Sequence, residues 1–224
     1  MIFTILNESN NKTNSKKFSD LSGGYSIRFV GSYIDKPKGE VGYLFRRNLS
    51  TETLIIGEGV LHFQYQIGDT YYSNIVDNID TKFDFFINVD YNREKFTYYS
   101  KDKVVTYEFK AEIGKIVDGD NYFTFLSDNI HEKTTDKNLL NGELDKLVIY
   151  DRILEDHEIK FNLGRTEIME EESLYANLDT NEKTNFKIFD NSGNGNHGLI
   201  SEPVKFKHDK IMDFVAKSRP NKYG

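Results

Sequence analysis

The chain is 224 residues long, contains no cysteine and carries a formal net charge of −7. That length suits one domain with appendages, large enough to bury a core without covalent staples, and the missing cysteines exclude disulfides and thiolate metal sites. The acidic balance argues against a nucleic-acid partner, which would need a clustered basic face; Arg46 and Arg47 form the densest basic pair.

From the N-terminus, "MIFTILNESNNKTNSKK" gives six mostly apolar residues and then turns polar. A secretory signal has a basic start and a longer apolar run, so none is expected. No run approaches about 18 apolar residues, so no membrane insertion is expected either. The sequons at Asn7, Asn11 and Asn48 carry little meaning without a secretory route.

The chain then reads as a series of short strands. Residues Tyr25–Tyr33 alternate apolar and polar, as do Val41–Arg46, Thr53–Ile56, Val60–Gln66, Phe83–Val89, Lys95–Tyr99, Val104–Phe109 and Asn121–Leu126. Each run is rich in Tyr, Phe, Ile and Val and is followed by turn residues. Alternation of this kind puts one face inward and one toward water, and its regular punctuation predicts a sandwich or barrel. One helix is expected, over Leu154–Leu163, where Leu154, Ile159 and Leu163 fall near one face and Gly164 follows as a stop. Beyond it, "RTEIMEEES" is acidic, "SLYANLD" and "TNFKIFD" read as strands, and 211–224 reads as a loosely amphipathic polar tail.

Two segments carry a resemblance. "LLNGELDKLVIYDRILEDHEIKFNLG", Leu139–Gly164, resembles the closing signature of laminin-G-like domains of the concanavalin-A-like superfamily. Gly142, Leu144, Val148, Tyr150, Arg152, Leu154, Glu158 and Ile159 stand in the signature places. "DNSGNGNHGLI" resembles a turn found near the opening edge of such domains, and "SLYANLD" resembles the strand before it. The opening element thus follows the closing one. The segment after Gly164 is expected to fill a vacant sheet edge, either of its own sandwich or of a neighbouring subunit. The resemblance implies an all-β fold: an antiparallel β-sandwich of the jelly-roll, concanavalin-A-like kind with a short C-terminal-side helix. The division expected is an arm over 1–20, the sandwich over 21–164 and an extension over 165–224.

Catalysis is not expected. Glucanases of this superfamily carry a Glu-x-Asp-x-Glu strand, which sets an acid and a nucleophile about 5 Å apart on one face, and the chain has no such triplet. His62, His131, His157, His197 and His208 are scattered without metal-ligand spacing, and His197 is expected to pack or hydrogen-bond inside its own turn. Calcium is the candidate cofactor. Its candidate ligands are Asp190, Asn194 and Asn196, with Asp179 or Asp128 as neighbours. Against it, Asn and Asp suit such turns for backbone reasons alone. A sugar site would draw on the paired tyrosines Tyr71, Tyr72, Tyr98 and Tyr99, whose other reading is cross-strand packing.

The resemblance therefore implies a non-enzymatic structural or adhesion module of a larger assembly, most of all a bacteriophage virion protein (decoration, fibre or tail adsorption). Its partners would be other virion proteins, copies of itself and a cell-surface glycan. The alternative is a soluble, calcium-dependent lectin module, extracellular or at the cell surface.

Overall fold

The computed structural model describes residues 2–6, 16–34, 41–47, 52–67, 69–109, 122–126, 140–165, 172–184 and 187–201. Among them the strands are β1 Ile2–Leu6, β2 Tyr25–Tyr33, β3 Gly42–Arg47, β4 Glu52–Gly57, β5 Val60–Ile67, β6 Thr70–Asn78 and β7 Lys82–Asp90. They continue as β8 Lys95–Tyr99, β9 Val104–Glu108, β10 Tyr122–Phe125, β11 Gly142–Tyr150, β12 Leu174–Lys183, β13 Lys187–Asp190 and β14 Gly198–Ser201. The helix α1, Asp156–Asn162, lies between β11 and β12. Asn7, Asn11, Asn48, Asp128, His131, His208 and the 211–224 tail lie outside the described residues.

Hydrogen-bonded neighbours run in the order β6-β5-β4-β3-β10-β1-β14-β13-β12-β11-β2-β7-β8-β9. Every pairing is antiparallel. The ladder folds back on itself so that its two halves face one another as the antiparallel sheets of a jelly-roll sandwich, the fold class the alternation predicts.

The period-two pattern does this directly. On β2 and β7, Ile27, Phe29, Phe83, Phe85, Ile87 and Val89 all enter the main core, while Ser26, Arg28, Asp84 and Asn88 take the alternate positions on the other face. Rings then meet across the two halves. Phe63 of β5 stacks on Phe96 of β8 at 4.0 Å between centroids. Phe29 of β2 meets Phe45 of β3 at 6.1 Å and Phe125 of β10 at 6.3 Å. Each buried ring removes a large apolar area from water, and the tilted pairs add about 0.5–1.5 kcal/mol beyond that.

A charged group sits within this interior. Glu52 is 0% exposed and Arg47 is 2% exposed. Arg47 donates from Nε to Oε2 at 3.2 Å and from Nη2 to Oε1 at 3.0 Å. The hydroxyls of Tyr25 and Tyr91 donate to the same carboxylate at 2.5 and 2.6 Å. Burial, and the carboxylate beside them, push both phenols well above their ordinary range.

A second, smaller core lies on the opposite face of the β2-bearing half. Phe86, Tyr99, Val148, Tyr150 and Leu174 receive Leu154 from the loop before α1 and Ile159 from the helix itself, which dock α1 onto the sheet.

The segment after Gly164 pairs within this chain. β12 lies antiparallel on β11, and β14 lies antiparallel on β1. The strand β1 was not expected: five residues ahead of a polar run are too few to show a period. It sits between β10 and β14, with Ile5 buried.

The outermost strands, β6 and β9, are bridged by side chains. Lys103 Nζ donates to the Val76 carbonyl at 3.3 Å and to Asp77 Oδ1 at 2.7 Å. The Tyr107 hydroxyl donates to the Ile75 carbonyl.

Candidate functional site

Beside α1, the outer face of β7 and β8 floors a cleft of about 800 Å3. Asn88, Thr97 and Tyr99 lie on the floor, and the loop Asp151–Asp156 forms one wall. Asp20, Gly23 and Gly24 form a second wall, and Asn92 and Arg93 of the β7–β8 turn close one end.

The loop wall is pinned by a buried polar ring. Ser26 Oγ donates to Asn88 Oδ1 at 2.6 Å, Asn88 Nδ2 donates to the Leu154 carbonyl at 2.9 Å, and the Leu154 N–H donates back to Ser26 Oγ at 2.9 Å. These groups satisfy one another where water is excluded, so the loop has one low-energy position. The Tyr99 hydroxyl donates to Asp156 Oδ1 at 2.9 Å. Burial first, then Asp156, push this phenol up to about 12, so it stays a neutral donor at physiological pH. The turn at the cleft's end is set by Asp90, whose Oδ1 accepts the N–H groups of Asn92 at 3.0 Å and Arg93 at 2.9 Å.

Arg152 is held by Glu158 through two bonds, Nη1 to Oε2 at 2.7 Å and Nη2 to Oε1 at 2.5 Å. Glu158 Oε2 also accepts the Glu155 N–H at 2.8 Å, closing the capping box at the start of α1. The bonds from Arg152 hold the Glu158 carboxyl down to about 2, against an ordinary glutamate value of roughly 4.3. A depressed carboxylate contributes stability above its unfolded value and loses it as pH falls through its folded value. Glu158→Gln is therefore expected to destabilise the protein by about 1 kcal/mol at neutral pH, the pair being partly solvent-screened. The gap should close between roughly pH 4.3 and 2. Urea unfolding of both proteins across that range checks it, and a gap independent of pH would contradict the assignment.

The four tyrosines named from the sequence do not share a surface. Tyr71 is 66% exposed on β6. Its neighbour Tyr72 stacks on Tyr65 at 5.0 Å with planes 10° apart. Tyr98 turns into the main core against Phe85 at 5.2 Å, and Tyr99 alone reaches the cleft. β6 and β8 belong to opposite halves of the sandwich.

The turn from Asp190 to His197 is closed on itself. Asp190 Oδ1 accepts the N–H groups of Asn177 and Ser192, each at 2.9 Å. Its Oδ2 accepts Ser192 Oγ at 2.8 Å and the Asn196 N–H at 2.9 Å. Asn194 Nδ2 donates to the Leu174 carbonyl at 2.7 Å, and Asn196 Nδ2 donates to the Tyr175 carbonyl at 2.8 Å. Gly193 and Gly195 take φ of 83° and 80°, a region that L side chains resist, so the SGNG spelling follows from the backbone path. His197 Nδ1 accepts the Asp190 N–H at 2.9 Å, the in-turn bond expected of it. Asp179 Oδ1 accepts from the main chain and side chain of Asn181. Among the described residues, no group of three or more His, Cys, Asp or Glu is placed to hold a metal ion.

Sequence reasoning singled out Arg152, Leu154 and Glu158 through the closing signature but not the cleft they shape. Asn88, Asp90 and Thr97 look like ordinary outward strand positions. Only the pairing of β7 with β2 brings Asn88 against Ser26 and the incoming loop.

No family model matches the sequence, and no curated protein sequence matches it. Solved structures do share its fold. A putative carbohydrate binding protein from Bacteroides ovatus superposes with a TM-score of 0.62 at 9% identity, over 88% of this chain and 55% of that one. The present chain thus spans about half of that relative. The CBM40 of Ruminococcus gnavus IT-sialidase, bound to α2,3-sialyllactose, superposes with a TM-score of 0.50 at 14% identity, over 65% of this chain and 85% of that one. At these identities the likeness establishes the jelly-roll sandwich.

Proposed function

We propose that the chain is a non-enzymatic carbohydrate-binding module whose glycan seats in the cleft between β7–β8 and the Asp151–Asp156 loop. The observation that carries this reading is the cleft itself, with polar walls fixed before any ligand arrives. Its volume, about 800 Å3, lies in the range of small-ligand sites, roughly 300–1,000 Å3. Pinned walls lower the ordering cost of binding. Sugar hydroxyls both donate and accept, which suits a lining that holds carboxylates together with Lys95 and Arg93. The solved structures of like fold that are described as carbohydrate-binding support the same reading.

Binding without reaction is supported by how the cleft carboxylates are engaged. Asp156 accepts from Tyr99, Asp151 pairs with Lys16, and Asp90 holds its own turn. Calcium-independent binding is supported by Asp190, whose two oxygens accept four hydrogen bonds, three from its own turn and one from Asn177 of β12. The setting we assign is a virion, where the module decorates a particle, fibre or tail beside copies of itself and other subunits. A cysteine-free chain suits an assembly made without disulfides.

The test is retention on a glycan array with chelator present, for the natural protein and for Thr97→Trp. An aromatic ring suits a half-buried strand position, and an indole would fill the cleft floor. We expect at least about a tenfold loss of glycan binding with an unchanged melting temperature. Intact binding in Thr97→Trp, together with loss in Tyr71→Ala, would move the site to β6.

A further inference from the structure

Resting on that reading, we infer that the cleft selects uncharged glycans and rejects those ending in sialic acid or sulfate. Among the described residues, five carboxylates line the cleft: Asp20, Asp90, Asp151, Glu155 and Asp156. Three cations do: Arg93, Lys95 and Arg152. Two of these eight groups are neutralised by partners beyond the lining. Asp151 pairs with Lys16, and Arg152 is gripped at both terminal nitrogens by Glu158; Glu155 faces the His157 imidazole at 3.2 Å, which adds a charge only when protonated. Four carboxylates then face two cations.

The placement sharpens the imbalance. The Arg93 side chain is 78% exposed and approaches Asp90 only to 3.8 Å, so it extends into water at the rim. Asp156, by contrast, is tied by Tyr99 to the floor. Glu155 and Asp156 stand together on the loop wall, at the start of α1. The guanidinium best placed to grip a ligand carboxylate in two-point fashion is Arg152, and Glu158 already holds its Nη1–Nη2 edge and balances its charge. A sialylated or sulfated sugar would bring an anion against the acidic wall, where the Arg152 charge is already balanced by Glu158. Like charges held together in a partly desolvated site are strongly disfavoured. The hydroxyls of an uncharged sugar would instead be met by carboxylate acceptors, which make stronger hydrogen bonds than neutral ones.

The experiment is an array of matched glycans with and without terminal sialic acid or sulfate, read at low and high salt for the full chain. We expect each retained glycan to be uncharged, and its sialylated or sulfated counterpart to bind at least about tenfold more weakly. The ratio should shrink as salt rises, since the lining is solvent-accessible. A double variant, Glu155→Gln with Asp156→Asn, keeps the hydrogen-bond acceptors of the capping box and of Tyr99 while removing two charges. It should narrow the ratio several-fold. Sialylated glycans bound as well as or better than their neutral counterparts, with that binding lost in Thr97→Trp, would overturn the inference and leave carbohydrate binding standing. An array on which nothing is retained would overturn the underlying reading itself.

Discussion

Glu52→Gln is expected to cost about 3–5 kcal/mol of folding stability, which is how much breaking a buried ion pair from one side generally costs. The substitution is nearly isosteric, so no cavity forms and the loss is electrostatic. Glu52 and Arg47 face each other as a cross-strand pair between β4 and β3. Tyr25 of β2 and Tyr91 after β7 reach the same carboxylate from the opposite half of the sandwich. Arg47 lies over the Tyr91 ring at 5.7 Å. Glutamine leaves the positive charge that Glu52 neutralises inside the core, and it presents one acceptor oxygen where the carboxylate presents two. Against a typical total of roughly 5–15 kcal/mol, that is a large fraction. Urea unfolding of the single variant checks the size. Adding Arg47→Met to Glu52→Gln should recover part of the loss, because the buried cation is then gone. A Glu52→Gln protein within about 1 kcal/mol of the natural one would show that the pair is solvated in a way the fold does not suggest.

The second large effect is expected at Asp190. Its carboxylate accepts three backbone N–H groups and one hydroxyl, and the residue is 8% exposed. Asp190→Ala leaves those amides without partners, at about 1–3 kcal/mol for each unsatisfied group, so a loss of about 3 kcal/mol or more is expected. The damage extends beyond the turn. One of the amides belongs to Asn177 of β12, and the turn sets how β13 and β14 follow it into the ladder between β11 and β1. Asp190→Asn, which keeps one acceptor oxygen, should fall between the two. Thermal unfolding of the three proteins gives the order. If Asp190→Ala were as stable as the natural protein, the turn would have to hold its shape through Gly193 and Gly195 alone.

How far the sequence leads is clear from particular elements. β2 and β7 are long enough to show their alternation, and their boundaries are near those expected from it. α1 was visible because Ile159 and Leu163 repeat at helical spacing ahead of Gly164, and the structure buries Ile159 in the small outer core with Leu163 packed against it. β1 was not visible, because IFTIL is recognisable as a strand only once β10 and β14 flank it. Tyr98 and Tyr99 show why a site is harder to read than a strand. Adjacent residues on a strand face opposite ways, so the pair divides between the main core and the outer face. There Tyr99 is 6% exposed, packed with the residues that receive α1. The cleft depends on pairings between residues 62 and 128 positions apart, Ser26 with Asn88 and with Leu154. No local pattern encodes such a meeting.

The placement of β1 beside β14 has an architectural consequence. Ile2 stands opposite Ser201 in the ladder, so the first and last residues of the described fold are neighbours. Topologically the sandwich is a ring closed by hydrogen bonds instead of a peptide bond. Such a unit can be spliced into a surface loop of a host protein without stretching either junction, and its ring can be cut elsewhere and sealed here with little rearrangement.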